Sequence, residues 1–290
     1  MESRLEQVRA LARECRLCPR ECGVNRFAGE LGTCKVGCGP IYSSVNLHFG
    51  EEPPISGYRG SGTIFLTGCN LKCEFCQNYP ISQLRHGIPC TTEELARQML
   101  WLQERGAHNI NFVTPTPQAA ALFEALTIAC RRGLRLPIVY NCGGYESLDM
   151  LRLWDGVIDI YMPDAKYASM ESALMVSFAP DYPRFNRLAL KEMRRQVGVL
   201  QLDSEGIATR GLLIRHLVLP NGLAGSEEVF RFIAEELSVD TYISLMSQYF
   251  PAWRACDNQT LNRRLTRQEF RRATSALRHH GLENGWIQPY

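Results

Sequence analysis

The chain has 290 residues, 45% hydrophobic and 21% charged, enough apolar material for one large domain with an appendage or for two small ones, and too much for wholesale disorder. Thirty-two Lys and Arg against 30 Asp and Glu leave a formal charge of +2, so no global field draws the chain to nucleic acid or to an acidic membrane surface. No apolar run approaches the roughly 20 residues that span a bilayer; the opening MESRLEQVRALAREC lacks an apolar signal-peptide core, and the expected location is cytoplasmic.

In a reducing compartment twelve cysteines are not a secreted disulfide framework, so their placement is informative. Five lie near the start (Cys15, Cys18, Cys22, Cys34, Cys38), three share one short loop (Cys69, Cys73, Cys76), and Cys90, Cys130, Cys142 and Cys256 are scattered. This predicts a Cys-rich metal-binding extension over 1–48, a barrel over 49–250 and a helical tail over 251–290.

The extension reads as a short helix followed by a Cys-, Gly- and Arg-rich stretch too poor in large apolar groups to hold itself together by burial. Cys15, Cys18, Cys22 and Cys34 offer four soft ligands, with Cys38 beyond, and metal binding would supply the missing folding energy. Zinc and an auxiliary iron-sulfur cluster fit these thiols equally well.

From about Gly60, short apolar or β-branched runs alternate with amphipathic helical patterns, the rhythm of a parallel α/β fold. Strands are predicted at 63–67, 109–113, 137–140, 157–162, 211–219 and 242–246. Thr91 with Glu94 makes a capping box for a helix that Gly106 ends, and Gly133 ends a helix beginning near Gln118, on which Cys130 is expected in the core. These units fall short of the eight of a complete barrel, so the expected fold is α/β, a partial (β/α)6 TIM-type barrel. Thr266 with Glu269 caps one more helix in the tail.

Directly after the first barrel strand comes Cys69-Asn-Leu-Lys-Cys73-Glu-Phe-Cys76. Three thiolates at this spacing can ligate three irons of a 4Fe-4S cluster and leave the fourth open, whereas structural zinc wants four closed ligands, and no further Cys or His follows until His86 and Cys90. Loops after the strands form the catalytic face of such barrels. The motif, with aromatic Phe75, resembles the signature of the radical S-adenosylmethionine (SAM) superfamily. LHFGEEPPISGYRGSGTIFLTGCNLKCEFCQN, GAHNINFVTPT, PIVYNCGGYES, IDIYMPDAKY, IRHLVLPNGLAG and LMSQY resemble, in order, the PflX-like branch related to pyruvate formate-lyase activating enzyme.

That resemblance implies an enzyme in which the open iron binds the amino and carboxylate groups of SAM. Reductive cleavage then yields methionine and a 5'-deoxyadenosyl radical that abstracts a hydrogen atom from the substrate. It implies roles beside SAM for Phe75 and Asn78, and for Thr114 and Thr116 where the superfamily often has Gly-Gly-Glu. Asn141 and Asp164, with the Met162 carbonyl, align with a monovalent-cation site; Asp164-Ala-Lys166 resembles a DxK motif, and Asn141 stands where the activating enzyme has Asp. Arg215 matches the residue that pairs with the SAM carboxylate, and Gln248 replaces a SAM-contacting His. Implied partners are SAM, a reduced flavodoxin- or ferredoxin-type electron donor and a glycyl radical protein substrate. His216, one residue from Arg215, alternates to the opposite face and is expected to be a packing histidine. Two other classes remain: an iron-sulfur electron carrier or redox sensor without SAM turnover, and a zinc-stabilised binding module.

Overall fold

The structure, a computed structural model, describes residues 2–290. Its strands are β1 (Ile41–His48), β2 (Ser61–Leu66), β3 (Ile88–Pro89), β4 (Ile110–Val113), β5 (Ile138–Cys142), β6 (Ile160–Pro163), β7 (Gln201–Leu202), β8 (Ala208–Leu217), β9 (Tyr242–Met246) and β10 (Gly285–Ile287). They form one sheet in the order β10-β9-β8-β6-β5-β4-β2-β1-β3, with β7 paired to β8. β2, β4, β5, β6, β8, β9 and β10 run parallel, and β1 is antiparallel to β2. The helices are α1 (Glu2–Arg13), α2 (Pro53–Ser56), α3 (Tyr79–Ser82), α4 (Thr92–Glu104), α5 (Ala119–Arg131), α6 (Leu148–Trp154), α7 (Met170–Ser177), α8 (Tyr182–Val197), α9 (Ser226–Glu236) and α10 (Arg267–His279).

The predicted six-strand α/β barrel is therefore present. Its strands are nearly continuous apolar runs because both faces are covered, as parallel sheets require. One face of each strand packs outward under the helices: Ile64, Phe112, Tyr140, Tyr161, Ile214 and Leu245 belong to the large outer core. The alternating residues Val139, Ile160, Met162, Leu213 and Tyr242 point inward and pack on Ile55 of α2. Asn109, just before β4, donates to the Ile55 carbonyl at 2.8 Å. The β1–β2 connector thus closes the N-terminal end of the barrel.

Both capping boxes form. Thr91 Oγ1 accepts from the Glu94 amide at 3.1 Å while Glu94 Oε2 accepts from the Thr91 amide at 2.8 Å, and Thr266 with Glu269 repeats the pattern. α1 lies on the barrel with Val8 and Ala12 buried, held by an Arg9–Glu124 ion pair at 2.9 Å.

Three expectations change. β1 lies within the stretch expected to be a separate extension, yet it joins the sheet with Val45 opposite Ile64. Every β1 residue is half-buried, so no buried stripe marked it as a strand. Residues 285–287, expected in a helical tail, add β10 beside β9. Cys130 is exposed instead of buried, because it sits in the last turn of α5, beyond the buried stripe that ends at Ala129.

Candidate active site

The three-cysteine loop leaves the C-terminal end of β2. Gly68 turns it at φ +79°, where a Cβ would fall 2.3 Å from Val36 Cγ2, so glycine lets the N-terminal segment close against the loop. Cys73 is buried and Cys69 and Cys76 are half-buried. Each sulfur has a neighbouring donor: the Leu71 amide lies 3.4 Å from Cys69 Sγ, Ser177 Oγ 2.9 Å from Cys73 Sγ, and Ser82 Oγ 3.1 Å from Cys76 Sγ. Burial and the Cys73 sulfur push the Cys69 thiol up to about 12, and burial raises Cys76 as well, so a bound metal has to displace their protons. Among the described residues no three His, Cys, Asp or Glu side chains gather tightly enough to hold one metal ion. Three soft ligands on one loop, each with its own donor, suit a cluster that gives each thiolate its own iron.

Tyr167 Oη lies 2.6 Å from Ser177 Oγ and fixes the hydroxyl that faces Cys73. A donor at a cluster sulfur stabilises the more negative reduced state. Ser177→Ala should therefore lower the cluster midpoint potential, by on the order of tens of millivolts, in a spectroelectrochemical titration. An unchanged potential would show that this hydroxyl does not reach the cluster sulfur.

Asn141, Asp164, Lys166 and Arg215 converge across β5, β6 and β8 at their C-terminal ends. Arg215 Nε donates to Asp164 Oδ1 at 2.9 Å and Nη2 donates to Asn141 Oδ1 at 2.7 Å. Lys166 Nζ pairs with the other Asp164 oxygen. Burial pushes Asp164 up, but Arg215 and then Lys166 outweigh it and hold the carboxyl below its usual range. The Asn141 oxygen, expected beside a monovalent cation, is instead taken by the guanidinium. His216 does point away: Nδ1 lies 2.6 Å from the Ala165 carbonyl and Nε2 lies 2.9 Å from Ser226 Oγ, and burial lowers it to about 4, so it is neutral near pH 7.

Sequence reasoning missed Glu51. Its Oε2 lies 3.6 Å from Arg215 Nη1 and its Oε1 accepts from Asn111 Nδ2 at 3.0 Å. In sequence it is an acid before a Pro-Pro turn, and only strand closure carries it to the barrel axis. Burial, partly opposed by Arg215, raises its carboxyl to about 7.

Other expected residues are placed differently. Phe75 is buried against Tyr167 and Tyr249, with ring centroids 6.5 and 6.0 Å away, beneath the loop. Asn78 is exposed at the start of α3. Thr114 adopts φ +60° at the end of β4, its amide bonded to the Asn141 carbonyl at 2.8 Å. The Thr116 hydroxyl donates to the buried Glu146 carboxyl at 2.9 Å, in the outer layer with Tyr140, and is not free for SAM. Gln248 is exposed at the rim, and its carbonyl accepts from Gln77 of the cysteine loop at 2.9 Å.

Glu146 gives a pH-dependent expectation. Burial raises its carboxyl from 4.5 to about 7, despite the Thr116 and Tyr140 donors. Between these values the folded protein holds more protons than the unfolded chain, so stability falls as pH rises through this window and the full cost is present above it. Glu146→Gln should be more stable than the parent by on the order of 1–3 kcal/mol at about pH 8 and lose that advantage at about pH 4.5, measured by urea unfolding. A pH-independent difference would contradict the raised pKa.

In the N-terminal segment Cys15, Cys18 and Cys34 are buried, as is Arg26. Arg26 Nε donates to Cys15 Sγ at 3.0 Å, Nη2 to Cys34 Sγ at 3.1 Å and Nη1 to the Pro117 carbonyl at 2.5 Å. Cys22 is drawn aside, 3.4 Å from Thr33 Oγ1, and Cys38 is exposed, so the four expected ligands are not one preformed set.

Residues 63–171 match the family model of the radical SAM superfamily. The chain is 31% identical over 296 residues to the uncharacterized protein MJ0674 of Methanocaldococcus jannaschii, an alignment covering 98% of this chain and 80% of that protein. Among solved structures, HydG, a maturase of the FeFe-hydrogenase, superposes with a TM-score of 0.51 at 11% identity, covering 76% of this chain and 48% of that one. The FeFe-hydrogenase maturase HydG from Carboxydothermus hydrogenoformans gives 0.50 at 14%, covering 76% and 50%. This chain spans about half the length of those maturases, and at such identities the likeness is one of fold. The chain therefore belongs with its Methanocaldococcus relative and carries a radical SAM superfamily domain, which implies a 4Fe-4S cluster, SAM and a reductant.

Proposed function

We propose that the protein is a hydrogen-abstracting radical SAM enzyme whose cluster is held by Cys69, Cys73 and Cys76. The observation that carries this reading is three separately hydrogen-bonded thiols at the C-terminal end of β2, with Lys166 within electrostatic reach of all three. When bound, cluster and SAM supply reductive homolysis: one electron splits the sulfonium–C5' bond, giving methionine and an adenosyl radical that takes a hydrogen atom from the substrate.

The chain's own part is to bind, orient and exclude water. Arg215 keeps N–H groups beyond those given to Asp164, Asn141 and Glu51, and these with Lys166 are offered to the SAM carboxylate. Carbonyls of the Thr114–Pro115 turn accept from the SAM amino group. Gln248 and Asn78, both exposed near the cysteine loop, border the nucleoside. Phe75 acts from below, by packing the loop. The resemblance to pyruvate formate-lyase activating enzyme supports a glycine Cα–H of a glycyl radical protein as one hydrogen donor, and a flavodoxin- or ferredoxin-type protein as reductant. The gathering of Cys15 and Cys34 on buried Arg26, with Cys18 buried in the same segment, supports a second metal centre there, either zinc or iron-sulfur.

The test is anaerobic: reconstitute the cluster, reduce with dithionite, add SAM and quantify 5'-deoxyadenosine and methionine. Both are expected in equal amounts. Their absence with an intact, reduced cluster would favour an electron carrier over an enzyme.

A further inference from the structure

At Cys73 the wall between the cysteine loop and solvent is α7. Its buried face carries Ser177, whose hydroxyl lies 2.9 Å from Cys73 Sγ. The two backbones are joined as well: the Lys72 amide donates to the Ser177 carbonyl at 3.3 Å and the Glu74 amide to the Val176 carbonyl at 2.9 Å. On the outer face Met170, Leu174 and Phe178 recur at four-residue spacing and are 64%, 52% and 45% exposed, an apolar stripe left open to solvent. Phe178 ends the helix at φ +53°, a conformation that glycine or asparagine adopts at less cost than a bulky aromatic. An exposed ring is thus kept against a local penalty, one peptide link from the residue that touches a cluster ligand.

Cations border the stripe. Arg20 donates from Nη1 to the Phe178 carbonyl at 2.5 Å and from Nε to the Asn70 carbonyl at 3.0 Å, bridging the end of α7 to the cysteine loop. Lys72 sits beside Ser177 through its amide. Exposed Arg85 follows Gln83, whose Nε2 donates to the Leu71 carbonyl at 3.2 Å. Among the described residues none of these three cations takes part in an ion pair. Burial and then Arg20 and Arg85 lower the Lys72 pKa, and the groups that oppose them are the Cys69 and Cys34 sulfurs, not carboxylates. An apolar centre with a charged rim is the anatomy of a protein interface, and the sign of the rim selects an acidic partner. A second copy of this chain would bring the same positive rim and be repelled. A protein substrate has to reach a radical formed inside the barrel, whereas this face lies outside α7. Electron transfer weakens steeply with distance, and a protein seated on Phe178 is one residue from Cys73.

We infer that the outer face of α7, with Arg20, Lys72 and Arg85, docks an acidic one-electron carrier protein beside Ser177 and Cys73. One electron passes from carrier to cluster, and no bond is made or broken. This rests on the radical SAM reading and names where its reductant binds. Binding is read without turnover: oxidised flavodoxin, an acidic flavin protein, is titrated by calorimetry into cluster-loaded full-length protein without SAM or reductant. Affinity should fall as potassium chloride is raised from about 50 to about 300 mM, and cationic cytochrome c should not bind. Leu174→Glu and Arg85→Glu should each raise the flavodoxin Kd about tenfold or more. Val239→Glu, also a new acid at an exposed apolar position but before β9 at the other end of the barrel, should leave it unchanged. Dithionite is small enough to need no docking face and should reduce the cluster of every variant, so a failure of SAM cleavage with dithionite counts against the enzyme reading alone. No flavodoxin binding to the parent, a parental Kd in Leu174→Glu and Arg85→Glu, or the same loss in Val239→Glu would each overturn the inference. A dimer that Leu174→Glu splits without changing the flavodoxin Kd would also overturn it, assigning the face to self-association. If Leu174→Glu does not fold or loses iron, Met170→Glu carries the test: a raised Kd supports the docking face and an unchanged Kd refutes it.

Discussion

Replacing Cys69, Cys73 and Cys76 together by Ala should remove one cluster's iron from the protein and reduce SAM cleavage to background. A single loop supplies the three thiolates; Cys90 lies beyond α3 and β3, and Cys142 points into the outer core. The fold should survive, because the loop is pinned by bonds independent of the thiols. The Glu74 amide donates to the Val176 carbonyl at 2.9 Å, the Ala255 amide donates to the Glu74 carbonyl at 2.9 Å, and Asn258 Nδ2 donates to Glu74 Oε2 at 2.7 Å. Circular dichroism should therefore match the parent while iron, sulfide and 5'-deoxyadenosine fall. Metal analysis of the same variant also tests the proposed N-terminal centre: zinc or iron remaining after the loop ligands are gone would be assigned to Cys15, Cys18, Cys22 and Cys34. Parental SAM cleavage in the triple variant would remove the assignment of the loop.

Legibility followed burial. β4, β5, β6 and β9 are buried at every position, and such runs stand out in sequence; β1, half-buried throughout, does not. Helix ends were legible where chemistry is local, as at Thr91–Glu94 and Thr266–Glu269. The cysteine loop needed only its spacing and its place after a strand. Thr116 shows the limit: a short 3-10 turn over Thr116–Gln118 rotates its hydroxyl outward to Glu146, and no periodic pattern reports such a turn. Glu51 and Glu52 show another. They are adjacent acids in a connector, and the place of Glu51 depends on contacts with Asn111 and Arg215 from distant strands.

Asp164→Ala should destabilise the protein by about 3–5 kcal/mol, the cost of breaking a buried ion pair from one side. Asp164, Lys166 and Arg215 side chains are 13%, 17% and 18% exposed, and the Asp164 carboxylate is bonded to both cations. Its removal leaves Lys166 without its partner and Arg215 with only Asn141 and the more distant Glu51. Because the folded carboxyl titrates below its usual value of 3.8, its contribution is present above that pH and is lost as pH falls through the lower folded value. The difference between parent and variant should accordingly be constant near neutrality and shrink in strong acid. Removing the orphaned cation as well, in Asp164→Ala with Lys166→Met, should recover part of the loss, because the second substitution deletes an unpaired charge instead of a paired one. Urea unfolding of the two single variants and the double variant measures this coupling. Strict additivity of the two substitutions would mean that the pair is solvated and that the rim of β6 holds no desolvated charge to orient Arg215.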